Sequence, residues 1–64
     1  MITTTTLGGL LDVDSTQSTF DILVPPGTDV RYVGKHSTLP EWTVYAAELN
    51  GTTYFIPCHP GNVT

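Results

Sequence analysis

A chain of 64 residues has room for one small domain, since folding at this size buries only about 60% of the unfolded surface. Two basic residues against six acidic ones leave a formal charge of −4, too few cations to displace counterions from a phosphate backbone. Direct nucleic-acid binding is therefore not expected, and neither is a multidomain enzyme or a repeat array.

Hydrophobic residues make up 39% of the chain, with sparse charge, so it is expected to fold rather than stay disordered. Threonine is abundant, and Thr, Val, Ile and the aromatics favour strands. Five prolines and six glycines interrupt the chain too often for long helices. The fold class read from this is all-β. The single cysteine, Cys58, excludes an internal disulfide framework. No run approaches the roughly eighteen apolar residues of a membrane span, so no membrane partner is expected. The N-terminus lacks a basic, then apolar leader, which predicts a cytoplasmic, intracellular protein.

Residues 1 to 6 are a threonine-rich arm, expected to be flexible or to add an edge strand, with Gly8-Gly9 as its joint. Leu7 to Val13 fits a helical turn or a strand equally well. Residues 14 to 18 are polar and read as a loop. Phe20 to Val24 reads as a strand stopped by Pro25-Pro26-Gly27, and Asp29 to Val33 alternates as a second. Gly34 to Glu41 is a loop. Trp42 to Leu49 and Thr52 to Pro57 flank Asn50-Gly51, the strongest short hairpin signal, because a type I′ turn needs positive φ twice. Cys58 to Gly61 reads as a tight turn and Asn62 to Thr64 as a last short strand.

The pleat of that hairpin puts Tyr45, Ala47 and Leu49 on one face and Trp42, Val44 and Ala46 on the other. On the returning strand Tyr54 and Ile56 oppose Phe55 and Pro57. Both faces are apolar, whereas a sheet in a small monomer commonly leaves one face wet. The second face calls for a covering partner.

The order Pro26-Gly27-Thr28-Asp29-Val30, a loop, Trp42, Asn50-Gly51, Ile56-Pro57, a short turn and Val63 resembles an SH3-like small β-barrel over about residues 23–64. The fifteen-residue step from Trp42 to Pro57, with Gly51 at the ninth, matches that family's common spacing. The opening Ala-Leu-Tyr-Asp-Tyr segment of the family is missing, and Cys58-His59-Pro60-Gly61 replaces the tyrosine that follows its Ile-Pro pair. The resemblance implies a five-stranded barrel over 19–64, preceded by an arm and loop over 1–18. Of the family's proline-peptide groove it retains Trp42 and Pro57.

No residue set points to catalysis. Cys58-His59 is the one nucleophile-imidazole pair, and neighbours in sequence rarely bring their side chains together. His36, His59 and Cys58 lack metal-type spacing, and no loop suits a phosphate, so no metal and no cofactor is expected. Trp42 has two readings: an exposed anchor in a groove with Pro57, Phe55 and His36, or a cap on the core. Asp12 and Asp14, near Asp21, either meet a basic partner or form a solvated surface.

The expected function is a non-enzymatic, acidic protein-binding module that regulates or inhibits a larger protein by occupying its surface. Small phage or plasmid proteins acting inside an infected bacterial host offer an analogy. The alternative is a self-assembling structural protein, a homo-oligomer paired through edge strands and the second apolar face. An acidic DNA mimic is a third reading.

Overall fold

A computed structural model of the chain describes residues 1–13 and 19–64. The fold is all-β, with β1 (Leu7–Gly9), β2 (Ile22–Val24), β3 (Arg31–Lys35), β4 (Thr43–Leu49), β5 (Thr52–Cys58) and a 3₁₀ turn at Pro60–Asn62. Strands β1 and β2 form one antiparallel sheet; β3, β4 and β5 form another, in that order. The two sheets do not close into one barrel, so the five-stranded barrel expected from the sequence is present only as an all-β, two-sheet fold.

The β4–β5 hairpin is the longest ladder, running from Thr43 opposite Cys58 to Leu49 opposite Thr52. Its turn forms as the sequence predicts: Asn50 and Gly51 both take positive φ, at 54° and 78°. On the other side of β4, β3 pairs with a bulge between Tyr32 and Gly34. The bulge adds a residue to the edge strand and turns Val33 outward, 46% exposed.

Strand β1 resolves the ambiguity over Leu7 to Val13. Gly8-Gly9 is not a flexible joint but the middle and end of a strand, with Gly9 opposite Ile22. The glycines are needed for close approach. A Cβ on Gly8 would fall inside the Phe20 ring, and one on Gly9 would meet Ile22 Cγ2 at 2.9 Å. Beyond β1, Leu10 and Phe55 exchange backbone hydrogen bonds of 2.7 and 2.6 Å, which link the small sheet to β5.

The threonine-rich arm is bonded on both sides rather than free. The Ile2 N–H donates to Thr64 O and the Thr64 N–H returns a bond to Ile2 O, at 2.7 and 2.8 Å. Along the other edge of the arm, Thr3 N–H donates to Thr28 O and Val30 N–H to Met1 O. Thr3 itself is only 2% exposed. Its hydroxyl donates to Pro25 O at 2.9 Å and accepts from Thr28 N–H at 3.0 Å, so it staples the Pro25–Thr28 turn to the arm. The arm is thus held in place, and at buried Thr3 the lost bonds could not be replaced by bonds to water.

The core gathers Val24, Val30, Tyr45, Ala47, Ile56 and Cys58, with Leu7, Ile22, Leu49 and Val63 packed against it. Tyr45 and Ala47 of β4 and Ile56 and Cys58 of β5 are alternate residues that share one face of the hairpin, and Val24 of β2 and Val30 close over it. On the opposite face Val44, Ala46 and Leu10 are also buried within the single chain. That second apolar face is therefore narrower than the alternation suggests. Small side chains at the centre of a sheet are covered by their longer neighbours, leaving Phe55 and Pro57 half-buried.

Candidate functional site

The loop between β3 and β4 begins at His36 and ends at Trp42. The His36 N–H donates to Trp42 O at 3.0 Å, which closes its base. Leu39-Pro40-Glu41-Trp42 then forms a turn, with Trp42 N–H donating to Leu39 O at 2.9 Å. Proline at the second position pre-sets the φ such a turn needs. These four residues line a hollow of about 200 Å³ at the surface.

Trp42 lies half-buried at the rim and is not part of the buried core cluster. Its indole packs on the His59 imidazole, with centroids 5.4 Å apart and planes inclined by 34°. The register explains the meeting. Thr43 opposes Cys58, so the residues one step outward, Trp42 and His59, leave the hairpin together. Pro57 opposes Val44 and Phe55 opposes Ala46, which continues the same face away from the indole.

Of the residues singled out from sequence, Trp42, Pro57 and Phe55 thus share one face of the hairpin. His36 does not line the groove. The residue is buried, 7% exposed, and its Nδ1 accepts from the backbone N–H groups of Thr38 and Leu39, each at 3.2 Å. The Thr38 hydroxyl lies 3.3 Å from the same nitrogen. Asp12 is exposed two residues beyond the Leu10–Phe55 bridge, and Asp14 lies outside the described residues. Sequence reasoning missed Leu39, Pro40 and His59 as parts of this surface. The Leu-Pro-Glu-Trp tetrapeptide was the available signal for the turn.

Cys58, the last residue of β5, and His59, the next residue in extended backbone, part company. Cys58 points into the core at 2% exposure, and burial pushes its thiol up, away from the thiolate a nucleophile needs. His59 is on the surface. Tyr45 is also buried, and burial, then Cys58 and Tyr32, push its phenol up. Its ring meets Tyr32 edge-on at 6.2 Å.

A second hollow, of about 360 Å³, lies where β3 meets β4, between Asp29, Arg31, Ala46 and Glu48. Arg31 and Glu48 approach to 3.9 Å across it, with both side chains more than half exposed. Solvent screening leaves such a pair little energetic weight. Among the described residues no helix is long and apolar enough to cross a membrane. Compared with protein-family models, with curated proteins and with solved structures, the chain shows no significant match.

Proposed function

We propose that this chain is a non-enzymatic, acidic protein-binding module of SH3-like arrangement, a regulator or inhibitor that occupies a surface of a larger protein. The observation that carries the reading is Trp42. The indole stands outside the core cluster, backed by His59 and bordered by the Leu39-Pro40 turn. A large aromatic held rigid at a surface hollow is the type of residue that dominates binding energy at interfaces. The order of elements supports the SH3-like part of the reading. A turn at 25–28, β3, the 36–42 loop, a Trp-led strand, the Asn50-Gly51 hairpin, Ile56-Pro57, a 3₁₀ turn and Val63 follow in the family's sequence.

The test is capture of a protein by the wild-type chain and its loss in a folded Trp42→Ala variant. A second reading, self-association, is favoured by apolar side chains on the edge strands. Leu23 on β2 and Tyr32 on β3 are 69% and 59% exposed. Light scattering separates the two readings: a monomer at tens of micromolar contradicts self-association, and a defined oligomer supports it.

A further inference from the structure

We infer that the 36–42 loop is a proton-controlled element, held in its observed form by the neutral His36 ring and released when that ring is protonated. Two backbone N–H groups, from Thr38 and Leu39, converge on one ring nitrogen. A nitrogen that accepts carries no proton, so the ring is the neutral tautomer with its hydrogen on Nε2. Protonation places an N–H on Nδ1, facing two N–H donors where there was an acceptor. Both amide bonds are lost together, and the Thr38 hydroxyl, 3.3 Å away, is the nearby group able to accept the new hydrogen.

The surroundings do not offset the added charge. Lys35 ends β3 immediately before His36, and Glu41 is exposed on the far limb of the loop. From the hairpin, Cys58 faces Thr43 and His59 packs on Trp42. The two ion pairs among the described residues, Met1 with Asp29 and Arg31 with Glu48, do not involve His36. An Nδ1–H set against two backbone N–H donors cannot keep either amide bond, which favours release of the loop once the ring is protonated. The Leu39 amide that is freed belongs to the turn whose carbonyl holds Trp42. That the hollow beside Trp42 changes shape with it rests on the binding role proposed above; the loop device does not.

The experiment is a pH titration of the full chain by NMR, following the His36 ring and the Thr38 and Leu39 amides, and needs no partner. The Ile56 amide reports the global fold. We expect both loop amides to move with the midpoint of the His36 ring while Ile56 stays unchanged, and their exchange protection to drop about tenfold, the loss of one ordinary hydrogen bond. His36→Asn, whose side-chain oxygen can still accept near the Nδ1 position but does not titrate, should keep both amides bonded throughout. His59→Gln should leave the transition in place, which assigns it to His36. The inference is overturned if the ring protonates while the two amides remain protected. It is equally overturned if the chain unfolds before the ring takes a proton.

Discussion

The Trp42 indole lies across the His59 imidazole at 5.4 Å, so the end of β5 supports the residue that ends the 36–42 loop. An aromatic contact of this kind is worth about 0.5–1.5 kcal/mol beyond its buried area. His59→Ala should cost about that much in urea unfolding and shift Trp42 emission to the red as water reaches the ring. Unchanged emission would show that the contact does not hold in solution.

Thr3 staples the arm to the Pro25–Thr28 turn through one hydroxyl that donates and accepts. Thr3→Val keeps the shape but leaves the Thr28 N–H without its partner, at a cost of about 1–3 kcal/mol. Thr3→Ser keeps both bonds and should lose less. In chemical denaturation the Ser variant should therefore unfold at a higher midpoint than the Val variant. The reverse order would mean that the methyl group, and not the hydroxyl, anchors the arm.

Gly8 lies under the Phe20 ring, where no Cβ fits. Gly8→Ala should destabilise by about 1–3 kcal/mol because the ring must leave its place. Removing the ring first, in Phe20→Ala, should make the same Gly8 substitution nearly neutral. A double-mutant cycle with no coupling between the two would contradict the packing.

Stability should fall in alkali. Burial holds the Cys58 thiol above its ordinary 9.0 and the Tyr45 phenol above its ordinary 10.0. Between its unfolded and folded values each group keeps its proton in the folded chain and loses it in the unfolded one. The unfolded state then binds fewer protons, so stability, complete below about pH 9, declines as pH rises beyond it. Urea midpoints measured from about pH 8 to about pH 10.5 should show this fall, and Cys58→Ala should delay its onset toward pH 10. A midpoint that stays level over this range would contradict the burial of both groups.

How far the sequence could be read depends on the range of the interactions involved. Asn50-Gly51 and the alternation around it specify the β4–β5 hairpin locally, since both φ demands and the pleat are short-range. The same pleat placed Trp42, Pro57 and Phe55 on one face. Leu7 to Gly9 was not legible as a strand, because two of its three residues are glycines chosen for contacts with Phe20 and Ile22 far along the chain. The arm was equally opaque: Thr3 is one of a run of threonines, and only the folded turn at Pro25 and Thr28 distinguishes it. From the sequence His36 is expected in a groove with Trp42, Pro57 and Phe55. Its actual place follows from the loop folding back so that two amides reach its ring.

The most direct test of the binding role compares capture by wild type, Trp42→Ala and Leu23→Ser from extracts of the encoding organism or its host, with circular dichroism to establish that all three are folded. The account predicts a protein held by wild type and Leu23→Ser and lost, by tenfold or more, in Trp42→Ala, the loss of about 1.4 kcal/mol or more expected when a hot-spot aromatic is truncated. Equal capture by wild type and folded Trp42→Ala would contradict it and move the site away from the indole.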